Sequence, residues 1–432
     1  MPRTTPEARP FSDKAMDYVR SQFAHLERDM HGTERLFFEN SGGSLRLRAA
    51  AERALDVSLS PDSNSRPTRV ARDLARVQQQ GEQDLFAFFN GDPDGALLPT
   101  ATASQGMFAI IRVITDHVPG TNIVTTAIEH PSSYDSCTRD AERTGQELRV
   151  APADQETGGI DPAAVAALVD EGTSLVSVIA TSNITGAVTD IPAVVAAVRA
   201  KNPDAYVITD GVQYAPHGVV DAQAWGVDAV NIAPYKMFGD RGNAFTYLSP
   251  RLARLPHDKL AAASAGTWAV GSSAPAVYAG FSAIVDYLAT VGDTAPGTDR
   301  RTALVAGMRA VHAHEQALLH TLLDGTEHQR GLRRIPGVHV HFADRAATLP
   351  RDLIVPLTFD DLSCADAVRA YEERGVIVYE RVASSPYSER ILRAVGLEGV
   401  VRVSPLHCHT VEEAERFLRV TQEIAEKGRA GE

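Results

Sequence analysis

Between about residues 46 and 290, short apolar runs alternate with segments of helical period. The runs predict strands at Asn122–Thr125, Glu147–Val150, Leu175–Ala180, Ala205–Thr209, Ala229–Ile232 and Ala244–Leu248. The run LVSVIA is apolar on both faces, as a strand buried inside a parallel sheet requires. Helices such as Ala163–Val169 and Pro192–Ala200 fall between these strands. The alternation predicts an α/β fold with a mostly parallel sheet covered by helices.

The flanks read differently. A helix is expected from Asp13 to Met30, followed by a turn at Glu39-Asn40-Ser41-Gly42-Gly43. A long amphipathic helix, Thr298 to Asp324, leads into strands at Val338–Phe342, Leu353–Thr358, Val376–Tyr379 and Val400–Val403. Helices at Cys364–Glu373 and Val411–Lys427 accompany them. The last helix opens on Thr410-Val-Glu-Glu413, a capping-box pattern. The expected organisation is an arm (1–45) that completes the small domain or the substrate site, a large domain (46–290) and a small C-terminal α+β domain (291–432). A ligand site then belongs in the cleft between the two domains.

Composition narrows the function classes. A chain of 432 residues suits two packed domains, and 44% hydrophobic with 22% charged residues is ordinary for a soluble globular protein. A formal net charge of −13 leaves no basic excess for phosphates, which argues against nucleic-acid binding. No run of about 18 apolar residues predicts a membrane span, and no signal segment is visible at the N-terminus. Cys137, Cys364 and Cys408 are too scattered for a disulfide framework, so a cytoplasmic protein is expected. His407-Cys408-His409 cannot easily converge on one ion, His339 and His341 make an incomplete pair, and no metal site is expected. No GxGxxG follows a strand and no GxSxG elbow occurs, which leaves nicotinamide and hydrolase readings without support.

Lysine usage is more informative. The chain has five lysines (Lys14, Lys201, Lys236, Lys259 and Lys427), and of these Lys236 alone sits in an apolar context directly after a predicted strand. Burial lowers an amine's pKa and makes it a usable nucleophile towards a carbonyl. Asp210 ends another apolar strand, where open α/β sheets present ligand-binding groups, and Gln213 follows three residues later. An acidic residue facing a pyridine nitrogen keeps it protonated and strengthens the ring as an electron sink. These are the parts that pyridoxal 5'-phosphate (PLP) chemistry needs.

The segments TSNITG (Thr181–Gly186), DGVQ (Asp210–Gln213) and the strand-end Lys236, at these spacings, resemble the class V aminotransferase family of fold-type I PLP enzymes. From Phe37 onward the chain is most similar to the cysteine desulfurase and selenocysteine lyase branch. The resemblance implies that Lys236 holds PLP through a Schiff base and moves protons at the substrate α-carbon. It implies that Asp210 pairs with the pyridinium nitrogen, that Gln213 bonds the phenolic oxygen and that His130 stacks on the ring. Thr102, Ala103 and Ser104 would open a helix whose amides bind the phosphate. Ser272 would reach the phosphate of a second subunit, making a homodimer with shared sites. Arg402 would grip the substrate α-carboxylate, with Asn183, Asn40 and Tyr235 beside the substrate.

Two departures separate the chain from that branch. The loop expected to carry the desulfurase cysteine, Glu380–Tyr387, reads ERVASSPY and has none. The residues before the lysine are Ala233-Pro-Tyr, where the family often has S-x-H, so Tyr235 replaces a potential acid/base histidine. The expected reaction is therefore β-elimination that cleaves a C–S bond of cysteine or an S-cysteine conjugate. Transamination, epimerisation and decarboxylative deamination are the enzymatic alternatives, and a PLP-binding pseudoenzyme is the non-catalytic one.

Overall fold

The computed structural model describes residues 8–343 and 350–430. Its larger sheet has seven strands: β1 (Ala96–Thr100), β2 (Asn122–Thr126), β3 (Glu147–Ala151), β4 (Thr173–Ile179), β5 (Tyr206–Asp210), β6 (Ala229–Ile232) and β7 (Ala244–Leu248). Their spatial order is β1-β7-β6-β5-β4-β2-β3. Strands β2 to β6 run parallel, while β7 is antiparallel to both β6 and β1. Every residue of β2, β4, β5, β6 and β7 is buried, which explains why these strands read as continuous apolar runs rather than alternating ones. Because β1 points the same way as β6, the loops after β1, β2, β4, β5 and β6 all leave the sheet at one edge. That edge carries the site.

The smaller sheet has four strands in the order β8 (Val338–Val340), β9 (Val355–Phe359), β11 (Gly399–Val403) and β10 (Tyr379–Val382), all antiparallel. Its apolar face packs with Leu318 and Leu322 of the long helix Arg300–Asp324 and with Phe417 and Leu418 of the helix Val411–Ala430. The latter helix is closed by a reciprocal capping box: the Thr410 amide donates to Glu413 (3.0 Å) and the Glu413 amide to Thr410 Oγ1 (3.2 Å). Together the two sheets make a large parallel-dominated α/β unit beside a smaller α+β one, the arrangement that the family resemblance implies.

Three elements differ from their expected form. The first helix stops at Gln22 rather than Met30, because Phe23 turns extended and is buried edge-on against Phe238 and Tyr287. Phe23–Ala24 then pair with Arg46–Leu47. The expected strand Val376–Tyr379 is two pieces: Val376–Ile377 pair in parallel with Leu36–Phe37, while Tyr379 starts β10. The expected loop Glu380–Tyr387 is therefore strand as far as Val382. Finally, Val338–Phe342 ends at Val340, and Phe342 takes a left-handed conformation (φ 59°).

Candidate active site

The strand-end loops enclose a cavity of about 420 Å³ lined by Lys236, Asp210, Gln213, His130, Asn183 and Tyr235. Thr102, Ala103 and Ser104 close one end, and Arg241 and Arg381 also reach it. Residues as far apart in sequence as Thr102 and Lys236 thus meet because parallel strands deliver their C-terminal ends side by side.

Lys236 sits in a single 3₁₀ turn, Pro234–Lys236, directly after β6. Two residues on, Phe238 is fully buried at φ 73°, a conformation costly for a bulky side chain. It is held there from both sides: its amide donates to Ser44 Oγ (2.8 Å) and its carbonyl accepts from the Leu47 amide (2.9 Å). The Ser44 hydroxyl and the Arg46 guanidinium also donate to the Tyr235 carbonyl, at 3.1 and 2.9 Å. The N-terminal arm therefore fixes the lysine turn. The Lys236 amine donates to the Ser41 carbonyl and lies 5.2 Å from the Tyr235 ring centre. Burial, reinforced by the positive charge of Arg402, pushes its pKa well below the ordinary lysine value, although Glu39 acts in the opposite sense. An uncharged amine is the state that attacks carbonyls and accepts protons.

Asp210 ends β5, buried, with its carboxylate accepting from the Val212 amide (3.0 Å). Burial raises its pKa to about 6, while the Val212 amide and Lys236 pull it down. His130 caps the helix Pro131–Thr144, and its Nδ1 accepts from the Ser132 amide (3.2 Å). The neutral ring therefore carries its proton on Nε2. Burial and the nearby Lys236 lower its pKa to about 4, keeping the ring neutral at physiological pH. Beside it, Glu129 is buried and raised to about 8, with one oxygen bonded to Thr126 Oγ1 and the Ile179 amide, both at 2.7 Å.

The residues fit PLP in three respects. Thr102 caps the 15-residue helix Ala103–His117 through the Gln105 amide, and the amides of Ala103 and Ser104 have no partner among the described residues. Such a helix start suits a phosphate. A buried carboxylate, Asp210, stands ready for a cationic ring nitrogen. The side-chain oxygen of Asn183 is buried without a partner, as a ligand-facing group would be.

Three expected site residues lie off the cavity lining. Asn40 uses its side chain to brace the arm, donating to the carbonyls of Phe37 (3.1 Å) and Ser404 (3.0 Å) and accepting from the Leu45 amide (3.0 Å). Arg402 is fully buried, paired with Glu39 and donating to the Asn183 carbonyl (2.9 Å). Ser272 lies in an exposed segment beside Val270, which is 69% exposed. Conversely, sequence reading missed Glu39, Ser41, Arg241, Phe238 and Arg381. Only Glu39 and Ser41 lay in a segment already noticed as a turn. The others depend on tertiary approach.

Fold and site together define a PLP-dependent protein of fold type I. The chain belongs to the aminotransferase class-V family, whose sequence model matches residues 37–267, more than half of its length. It is 23% identical over 368 residues to a cysteine desulfurase of Serratia proteamaculans, covering 78% of this chain and 82% of that one. It is 24% identical over 431 residues to the aminotransferase-like protein FGM3 of Gibberella zeae, covering 94% and 98%. Among solved structures, the apo cysteine desulfurase of Thermococcus onnurineus NA1 superposes with a TM-score of 0.79 at 17% identity, over 95% of this chain and 98% of that one. That likeness concerns the fold.

Proposed function

We propose that this protein is a PLP-dependent lyase that cleaves the C–S bond of cysteine or an S-cysteine conjugate by β-elimination, with no protein persulfide. One observation carries the choice. None of the three cysteines lines the Lys236 cavity: Cys137 and Cys408 are buried elsewhere and Cys364 opens a helix of the smaller unit. Sulfur must then leave as a free thiol rather than pass to the enzyme.

Bound PLP supplies an electron sink for negative charge at the substrate α-carbon. Lys236 would hold the cofactor, and its uncharged amine would accept the α-proton. Asp210 would balance a positive charge on the ring nitrogen, and Gln213 and Asn183 would bond the ring oxygen. The neutral imidazole of His130 would pack against the ring, and the helix start at Thr102–Ser104 would take the phosphate. Tyr235 stands beside Lys236 at the substrate side. Ser272 reaches the phosphate of a second subunit in a homodimer, a reading supported by the exposed Val270 and Leu260 (58%) of its segment. The three free thiols fit a reducing, cytoplasmic compartment, and among the described residues no helix is long and apolar enough to cross a membrane.

Incubation with cysteine S-conjugates tests the reading. Thiol, pyruvate and ammonia are expected in equal amounts, without CO2. A keto acid with the aminated cofactor as sole products would replace elimination by transamination, and CO2 release would replace it by decarboxylation. Absence of both an absorbance band and borohydride trapping on Lys236 would leave only a pseudoenzyme.

A further inference from the structure

Three arginines gather at the Lys236 cavity. Arg381 on β10 and Arg241 in the loop after the lysine turn both line it, and Arg402 stands on the neighbouring strand β11. The positive charge of all three acts on the Lys236 amine, and Glu39 is the carboxylate that opposes them. Among the lining residues the one carboxylate is Asp210, which the ring nitrogen of PLP would occupy.

An ordinary amino acid does not balance this set. Arg402 is expected to take the α-carboxylate: Glu39 and the Asn183 carbonyl hold its terminal nitrogens, and its buried Nε keeps a donor without a partner. Glu39 acts on Arg381 as well, yet it brings a single negative charge. Three guanidiniums then face Glu39 and one α-carboxylate, and a positive charge is left over. The two lining arginines are placed to use it. Arg381 has its Nε buried without a partner, and its charge reaches both Lys236 and His130. Arg241 lies over the Tyr235 ring, 4.2 Å from guanidinium to ring centre, and donates to the Gly42 carbonyl (3.1 Å). Among the described residues neither forms an ion pair, and the adjacent Asp240 faces Arg46 at 4.0 Å. A desolvated cation without a counter-ion is costly, and a carboxylate offered to its planar fork makes two charge-assisted bonds.

We propose that the substrate carries an acidic group on its side chain, received by Arg381 with Arg241 beside it, while Arg402 keeps the α-carboxylate. Within the proposed reaction, the substrate class becomes an S-(carboxyalkyl)cysteine rather than cysteine itself or a neutral conjugate. The inference rests on the reading of the cavity as a PLP and amino-acid site, and not on which bond is cleaved there.

The test uses the full-length chain freed of PLP and two reduced probes, the N-(5'-phosphopyridoxyl) derivatives of S-carboxymethyl-L-cysteine and S-carbamoylmethyl-L-cysteine. They are nearly the same shape and differ by one side-chain charge. The wild type is expected to prefer the carboxymethyl probe by about 10- to 100-fold, the worth of a charge-assisted pair. Arg381→Gln should abolish that preference, with the loss falling on the carboxymethyl probe, and Arg381→Lys should restore part of it. The double replacement Glu39→Gln with Arg402→Gln removes both charges of that pair together and should weaken both probes while keeping the preference. Arg241→Gln should reduce the preference in part. If it instead weakened pyridoxamine 5'-phosphate and left the preference intact, Arg241 would belong to the phosphate and its part in the receptor would fall. A wild type without preference, or a preference that survives Arg381→Gln, would overturn the proposal. Binding of neither probe by the wild type would instead remove the PLP reading beneath it.

Discussion

The two walls of the cavity were built by different means. The wall around Lys236 and Asp210 comes from neighbouring strands of the seven-stranded sheet. The wall at Arg381 comes from an edge strand of the small sheet, backed by the Arg402–Glu39 pair of the neighbouring strand and the N-terminal arm. The first wall carries the lysine and aspartate on which the proposed chemistry depends. The second carries the segment Glu380–Tyr387, which holds no cysteine. The two walls thus sit on separate pieces of backbone.

The sharpest way to break this comparison is Lys236→Ala. Loss of the nucleophile should lower turnover at least ~10³-fold, measured by steady-state rates on any accepted substrate, and borohydride should no longer trap cofactor on the chain. A variant retaining wild-type rates would show that the first wall is not the reacting one. Next in size, Asp210→Asn should lower kcat by roughly 10²–10³-fold, the usual effect of removing one preorganised electrostatic partner. Its KM should change little, whereas Arg381→Gln should act mainly on KM. Equal splits for the two variants would dissolve the division between the walls.

A smaller effect concerns Glu129. Its folded pKa, about 8, lies above the ordinary carboxylate value, so the folded state holds a proton that the unfolded state has lost between about pH 4.5 and 8. Its contribution to stability is full below that window and falls as pH rises through it. His130 and Lys236 shift the other way, so the useful quantity is a difference. From pH 6 to 8 the Tm of the cofactor-free wild type should fall relative to that of Glu129→Gln; parallel curves would rule this out. The smallest effect lies far from both walls. Thr410→Ala removes half of a capping box and should cost about 1 kcal/mol in urea unfolding, with activity unchanged.

The first wall was legible because each of its residues sits at a strand end, and strands buried on both faces announce themselves as apolar runs. Lys236 stood out further as the lysine in an apolar setting. The second wall was harder to read because its geometry depends on a split strand. Val376–Ile377 and Tyr379–Val382 look like one apolar-to-polar run, but they pair with different partners. That switch extends strand through Arg381 and turns its side chain to the same face as Arg402. The helix expected to continue to Met30 failed for a related reason: Phe23 gains more from the core around Phe238 than from another helical turn.

By itself, the sequence determined the α/β class, the positions of the buried strands along the chain, the family resemblance and the spacing of a lysine from an aspartate one βα unit upstream. These follow from local patterns, since burial on both faces and strand-end position leave a periodic signature. Tertiary structure alone decided that Glu39 lies on Arg402, that Arg381 reaches the cavity, and that Phe238 is held left-handed beneath the lysine. Each depends on segments far apart in sequence meeting at hydrogen-bond distance. A charge pair of that kind has no period along the chain, and only packing can choose which cation meets which carboxylate.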